Sequence, residues 1–403
     1  MPEAVIVSAA RTPIGRANKG SLKDFRPDDL TAFIAQAALD KIPALDPNEV
    51  GDLILGCGLP GGEAGNNMAR IVTTLMGYEI PGTTLTRYCA SSVQTTRNAF
   101  HAIKAGEGDV YISAGVEMVS RYQFGTSDHI PNTKNPKFED AQKRTEEYAA
   151  GGKDWHDPRE DGLLPDVYIA MGQTAENVAR MRGLDRKELD EFGVRSQNLA
   201  EKAINDGFWA REITPVTLAD GTVVSADDGP RAGVTYEAVS QLQPVFRPDG
   251  VVTAGNCCPL NDGAAAVVIM SDTRAKELGL TPLARIVSTG VSGLSPEIMG
   301  LGPVEATKQA LKHANMTIKD IDLAEINEAF AAQVVPSYQD LGLDLDQVNV
   351  NGGAIAVGHP FGMTGARLQN TMINSLDWHD KSTGLITMCV GGGQGMALIL
   401  ERI

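Results

Sequence analysis

Three of the five cysteines and six histidines in this 403-residue chain stand where they could do chemistry. Cys89 lies in LTRYCASSVQTTRNAFHAI, where an extended run ends at Tyr88 and a helix begins near Ala90–Ser92, with Phe100 and Ile103 on its apolar side. A thiol at a helix N-terminus faces unpaired N–H groups and the positive end of the macrodipole, which stabilise a thiolate. The thiolate reading expects iodoacetamide at neutral pH to modify Cys89 ahead of Cys57, Cys257 and Cys258. A small buried hydrophobe is the equally weighted alternative. His359 lies in NVNGGAIAVGHPFGMTGAR, crowded by Gly352, Gly353, Gly358, Gly362 and Gly365 and followed by Pro360. Glycine at that density lets backbone approach a ligand closely. An isolated histidine is more often structural, but a histidine brought to a cysteine makes an activated nucleophile.

Cys389 ends a strand-like run in ITMCVGGGQGMALIL. The glycines after it suggest a nucleotide fingerprint, but that fingerprint must open a helix, and MALIL reads as another strand. Exposed N–H groups beside a thiol, Gly391 among them, could instead hold an oxyanion. A structural cysteine in a tight β-hairpin is the alternative. Asn327 lies in AEINEAFAAQ after the strand-like Ile321–Leu323, with Glu325 and Glu328 nearby. A lone asparagine there is ordinarily a turn or capping residue. Cys57 reads as structural. Cys257 and Cys258 read as packing or lining residues, because a vicinal disulfide would be strained.

The elements that must position these groups alternate in type. Ala4–Val7, Leu53–Leu55, Val110–Ser113, Ala265–Met270, Ile286–Ser288, Leu385–Met388 and Ala397–Leu400 have the pattern of buried strands. Helical patterns lie between them, one around Leu30, Phe33, Ile34, Ala37 and Ala38, with Asp28 or Asp29 placed to cap it. Such alternation implies an α/β layered fold. The chain also repeats itself. Ala4–Ser8 (AVIVS) returns 280 residues later as Ala284–Ser288 (ARIVS), and Asp52-Leu53 returns after 270 as Asp322-Leu323. The latter offset carries Cys57 onto Asn327 and Cys89 onto His359. Two similar α/β halves facing each other across a pseudo-twofold axis would bring equivalent loops to one cleft. The halves are expected over 1–120, completed by about 243–272, and over 273–403. Between them, 121–242 reads as an insertion lobe, polar through about Gly162 and then helical around Gly172–Arg182 and Glu188–Ile204. Solvent exposure is the expectation for most of it, with a binding or assembly role for the rest.

Composition excludes several classes. The formal net charge of −16 is a poor match for a nucleic-acid binder, so an anionic substrate must meet a local basic patch. Five cysteines without CxxC spacing make neither a disulfide framework nor a zinc site. The apolar run Val5–Ala10 stops at Arg11, too short for a signal segment or a membrane span, and the C-terminal ERI carries no lipidation or peroxisomal signal. A soluble, cytoplasmic protein with no membrane partner is expected.

Taken together, Cys89-Ala90-Ser91, Asn327-Glu328-Ala329-Phe330, Gly358-His359-Pro360 and Cys389-Val390-Gly391 resemble the four fingerprints of the thiolases, in order and at suitable spacing. IVSAARTPIG and VTAGNCCPLNDGAA are similar to that family as well, so the likeness runs from about residue 3 to 403. The resemblance implies an αβαβα-layered thiolase-like fold and the transfer of an acyl group between thiols. Cys89 would be the acylated nucleophile, and His359 would take its proton and then hold the thioester oxygen. Cys389 would move the α-proton of acetyl-CoA. Asn327 would orient a water in a first oxyanion hole, with His359, and the N–H groups of Cys89 and Gly391 would form a second. Claisen chemistry needs these parts: a nucleophilic thiol, a base, and stabilisation of two oxyanions. Arg231, Cys258, Met171, Met299 and Phe330 would contact CoA or the acyl chain. No metal or redox cofactor is implied, and CoA is a substrate. A ketosynthase would carry a second histidine where Asn327 stands, and a hydroxymethylglutaryl synthase would lack the Cys389 motif. Short-chain biosynthetic thiolases carry a histidine where Ala170 precedes Met171-Gly172, and a serine where Cys258 stands. Both departures lean towards degradative cleavage of 3-ketoacyl-CoA, as in fatty-acid β-oxidation. Condensation of two acetyl-CoA, or a non-catalytic acyl-CoA-binding subunit, are the competing readings. A homodimer or homotetramer, with a possible hydratase–dehydrogenase partner, is also implied.

Overall fold

The computed structural model describes residues 2–124 and 132–403. Strand β1 (Ala4–Arg11) is buried along its whole length. Val5, Val7 and Ala10 join one apolar core, while Ala4, Ile6 and Ala9 join another. A strand covered on both faces needs apolar residues on both, which is why its sequence is a continuous run.

Strand β1 pairs antiparallel with β6 (Ala284–Gly293) through Val5 opposite Arg285 and Ile6 opposite Ala284. The two strands matched by the internal repeat thus meet side by side at the centre of a ten-stranded sheet. Outward from β1 lie β5 (Asn261–Ser271), β4 (Val110–Met118), β2 (Asp52–Cys57) and β3 (Gly82–Leu85). Outward from β6 lie β9 (Gln394–Arg402), β8 (Thr383–Val390) and β7 (Leu323–Ile326). On each side the first two pairings are antiparallel and the third is parallel, as a repeated unit requires. The tenth strand, Gly15–Arg16, adds to β5.

Helices α1 (Pro27–Asp40) and α2 (Met68–Leu75) cover the outer face of the first half. Helices α7 (Gly302–Ala314) and α8 (Ala331–Leu341) cover the outer face of the second. Between the half-sheets lie α3 (Ser91–Ala105) and α9 (Thr364–Trp378), whose Val93, Ile103, Leu368 and Met372 share one core with strands of both halves. The layers therefore run α, β, α, β, α. Each central helix is entered through a loop that carries a candidate catalytic residue, Cys89 before α3 and His359 before α9.

Several local expectations need correction. Helix α1 is not capped by Asp28 or Asp29: Arg26 is its N-cap, and Pro27 takes the first turn, where a missing N–H costs nothing. Asp28 instead accepts the Asp29 N–H at 3.1 Å and pairs with Arg26 at 2.8 Å. The extended run before Cys89 ends at Leu85 rather than Tyr88, and β7 begins at Leu323, where the apolar run was expected to end. In the insertion, α4 (Glu139–Ala149) is largely exposed. Helix α5 (Met171–Arg182) is not: Gly172–Ala179 is buried and Ala175 and Ala179 join the core under α8, which corrects the exposed reading there. Helix α6 (Arg186–Asn205) follows it. The insertion is tied back to the central strand by fully buried Arg11, which pairs with Glu212 and, at 2.7 Å, with Asp227. Breaking one partner of such a buried group would strand a charge.

The halves approach through bare backbone. A Cβ on Gly115 in β4 would come 2.1 Å from the Gly362 carbonyl oxygen and 2.6 Å from the Ser92 Cβ. Gly115→Ala should therefore cost about 1–3 kcal/mol of stability through overpacking. A lower urea midpoint at unchanged slope would register it; an unchanged midpoint would show that the interface can yield.

Candidate active site

A short helical turn, Tyr88–Ala90, delivers Cys89 to the start of α3, with Tyr88 held at φ 44°, an unusual setting for a residue with a side chain. Cys89 is 8% exposed and lines a cavity of about 510 Å³, with Leu59, Tyr168, Met171, Phe361 and Gly391 among its walls. Ligand pockets commonly span ~300–1,000 Å³. The β8–β9 hairpin turns at Gly392 and Gly393, both at positive φ (75° and 78°), which glycine alone adopts without strain. That turn brings the Gly391 N–H to the Cys89 thiol, where it favours the thiolate.

Burial, with the charge of Glu117 nearby, pushes the Cys89 thiol up to about 12, against the smaller downward pull of the Gly391 N–H. The expectation of a resting thiolate is therefore corrected: desolvation outweighs the helix terminus, and Cys89 rests as a neutral thiol.

His359 follows Gly358, whose φ of 111° no residue with a Cβ would adopt readily, and its N–H donates to Asn261 Oδ1 at 2.9 Å. On the ring, Nδ1 lies 2.6 Å from Thr364 Oγ1. The Thr364 hydroxyl donates to the Pro360 carbonyl at 2.7 Å, so it accepts from Nδ1–H and leaves Nε2 as the basic nitrogen. Asn327 Nδ2 donates to that Nε2 at 3.3 Å. Burial, with the nearby Arg367 charge, holds the imidazole down to about 3, so it is neutral at physiological pH. Asn327 sits just beyond β7, pinned by its N–H to the Thr387 carbonyl at 3.0 Å, and its Oδ1 is buried without a partner. A neutral thiol, and a neutral imidazole whose Nε2 is engaged only by the Asn327 amide at 3.3 Å, are the parts of a nucleophile and its general base.

Cys389, at the end of β8, points into the core beneath α7 and α8 and lies near enough to Cys89 for a charge there to oppose its own ionisation. Cys258 is close to both, its N–H donating to the Ala329 carbonyl at 3.1 Å. The structure thus brings Cys89, Cys389, Cys258 and Gly391 together, and links His359 to Asn327. Met171 lines the cavity. Met299 and Phe330 do not; both are buried in the core that Cys389 faces. Arg231 is exposed, its backbone N–H on Gln197 Oε1, and is not part of the cavity wall. Cys57, read as structural, is buried 3.7 Å from Glu117. Sequence reasoning passed over Thr364, Phe361 and Glu117. The first two lie within the quoted GHPFGMT stretch and were overshadowed by its glycines. Glu117 stands inside a strand, where a lone acid gives no signal of its own.

Residues 4–273 match the family model described as "Thiolase, N-terminal domain", and 280–402 match "Thiolase, C-terminal domain". The chain belongs to the thiolase family. It is 41% identical to the 3-ketoacyl-CoA thiolase of Bacillus subtilis over the whole of both chains. The human mitochondrial 3-ketoacyl-CoA thiolase superposes with a TM-score of 0.87 at 35% identity, covering 100% of this chain and 99% of that one. The dimeric peroxisomal thiolase of Saccharomyces cerevisiae gives 0.88 at 34%, covering 100% and 98%.

Two measurements check the electrostatics. The rate of Cys89 alkylation should climb about tenfold per pH unit from pH 7 to 10 as the thiolate fraction grows; a plateau below pH 8 would mean a resting thiolate. An unfolded histidine titrates near ~6.5 whereas His359 does so near 3, so the unfolded state takes up the extra proton in between. The stability tied to a neutral His359 is present above that window and lost as pH falls through it. His359→Gln should flatten the fall in unfolding free energy between pH 6.5 and 4.5, read from urea titrations.

Proposed function

We propose that this chain cleaves 3-ketoacyl-CoA with CoA, giving acetyl-CoA and a shortened acyl-CoA, through an acyl-Cys89 intermediate. The observation that carries the reading is Cys89, a neutral thiol at the wall of a cavity of about 510 Å³, with the Gly391 N–H and a second, core-facing thiol, Cys389, close by. His359 Nε2 takes the proton from Cys89 as the sulfur adds to the 3-keto carbonyl. The N–H groups of Cys89 and Gly391 hold the oxyanion. The bond between the α- and β-carbons then breaks. Asn327 and His359 stabilise the thioester enolate that leaves, and Cys389 supplies its proton. Burial pushes the Cys389 thiol up, so it enters the step protonated. CoA finally attacks the acyl-Cys89 thioester, its thiol proton going to the Cys389 thiolate, and the released Cys89 sulfur takes back the proton held by His359. No metal or redox cofactor takes part.

The pocket reading assigns Met171 and Cys258 to the ligand's reactive end, Met299 and Phe330 to the wall behind it, and Arg231 to the CoA phosphates. The chain divides for this purpose into 1–120 completed by about 243–272, an insertion lobe over 121–242, and 273–403. A homodimer or homotetramer in the cytoplasm is proposed, with a hydratase–dehydrogenase enzyme as the candidate supplier of substrate. Among the described residues no helix is long and apolar enough to cross a membrane. The acetyl-CoA acetyltransferase of Bacillus anthracis superposes equally well, with a TM-score of 0.87 at 38% identity over 100% of this chain and 99% of that one, and it keeps acetoacetyl-CoA as a second reading.

A substrate series from acetoacetyl-CoA to 3-ketodecanoyl-CoA, with CoA, tests the assignment by loss of the ketothioester. Turnover confined to acetoacetyl-CoA would favour the second reading, and no turnover would make the chain a binding subunit. Cys389→Ala should still form acyl-Cys89 by mass spectrometry. It should fail to exchange the α-hydrogens of acetyl-CoA with deuterated water, and thiolysis should fall ~10²–10⁴-fold. Normal exchange would remove Cys389 from the mechanism. Light scattering at micromolar concentration should show no stable monomer.

A further inference from the structure

The repeat gives the Cys389 position a counterpart with different chemistry. Leu53 in β2 pairs with Ile112 in β4, and its repeat mate Leu323 in β7 pairs with Gly384 in β8. Five residues on from each partner stand Glu117 and Cys389. In one half the strand end carries a thiol of the reaction; in the other it carries a fully buried carboxylate.

Its hydrogen bonds show what that carboxylate holds. Oε2 accepts the Gly58 N–H at 2.7 Å and the Gly362 N–H at 2.8 Å. Oε1 accepts the Leu59 N–H at 3.2 Å and the Tyr122 hydroxyl at 2.9 Å, with the Cys57 thiol at 3.7 Å. Gly58 and Leu59 belong to the first half and form cavity wall. Gly362 belongs to the second half, between His359 and the Thr364 that fixes its tautomer. The approach depends on bare backbone: a Cβ on Gly58 would meet Glu117 Oε2 at 2.6 Å, and one on Gly362 would meet the Val116 carbonyl at 2.3 Å. Three backbone N–H groups, a hydroxyl and a thiol from the two halves fill the acceptor sites of one buried carboxylate, at one junction between cavity wall and base.

We propose that Glu117 is a positioning residue: its carboxylate clamps the cavity-wall loop of the first half to the His359 loop of the second and so sets the distance between the bound acyl chain and the base. It touches neither substrate nor reacting atoms. Its negative charge also lies close enough to Cys89 to disfavour the thiolate. That charge adds to burial, which is the larger cause of the raised Cys89 thiol. Glu117→Gln keeps the shape but replaces one acceptor oxygen with an NH₂ group, which faces either two N–H donors or an N–H and a hydroxyl.

This proposal rests on the acyl-transfer reading for its kinetic arm, and a second arm is independent of it. With active sites counted by labelled acyl-Cys89, Glu117→Gln should lower kcat per site at least ~10-fold, at a KM for CoA within about twofold of the parent chain. A role confined to stability would lower the melting temperature or the fraction of active sites and leave kcat per site intact, and that result overturns the clamp. In the second arm, Cys89 in Glu117→Gln should be alkylated at least ~3-fold faster at pH 8, with Cys257 unchanged; an unchanged rate overturns the electrostatic part. If the parent chain itself forms no acyl-Cys89, the functional reading fails, and the alkylation arm still decides whether Glu117 governs the thiol. Should Glu117→Gln not fold, Tyr122→Phe removes one donor and keeps the carboxylate. A fall of about threefold in kcat per site is then expected, and parent-like kcat overturns the proposal.

Discussion

Two residue pairs hold the architecture in register: Val5 against Arg285 and Ile6 against Ala284. Because these are repeat-equivalent strands running antiparallel, their junction acts as a local twofold axis, and everything built outward on one side recurs on the other. Helices α3 and α9 are forced into the shared layer by that symmetry, and the loops entering them open on the same side. The meeting of the Cys89 and His359 loops is thus a consequence of strand pairing far from either residue. Side-chain attraction between them is not needed to bring them together.

Removal of water is the second condition. Cys89, His359, Asn327 and Cys389 are all within the buried class, and burial moves each titratable member towards its neutral form. Two neutral groups cost less to bury than an ion pair, whose desolvation its attraction often fails to repay. The proton moves only when a carbonyl arrives to receive the sulfur, so charge appears where backbone N–H groups already wait.

Much of this was legible in the chain. The strand runs were, because a strand covered on both faces must be largely apolar, as at Ala4–Val7 and Ala265–Met270. The convergence of the Cys89 loop with the loop that carries His359 and Phe361 was, because repetition carries spatial information that composition does not. The resting state of Cys89 was not. A helix N-terminus is visible in sequence, but the depth at which it is buried is not, and depth won. Met299 and Arg231 show the same limit: a motif position does not say whether a side chain faces cavity, core or solvent. Glu117 escaped notice because three of its partners are backbone N–H groups, of two glycines and a leucine, which leave no mark in the sequence beyond the glycines themselves.

A symmetric pair of separate identical subunits would place the same residue at both ends of its axis, since any substitution in one appears in the other. Covalent duplication removes that constraint. Here the frame stays twofold while its contents diverge: cysteine opposite histidine before the central helices, cysteine opposite asparagine where β2 and β7 end, acid opposite thiol near the ends of β4 and β8. Fusing the two halves into one chain lets nucleophile and base evolve as different residues at matching addresses, with one half's strand end free to become scaffold for the other's chemistry.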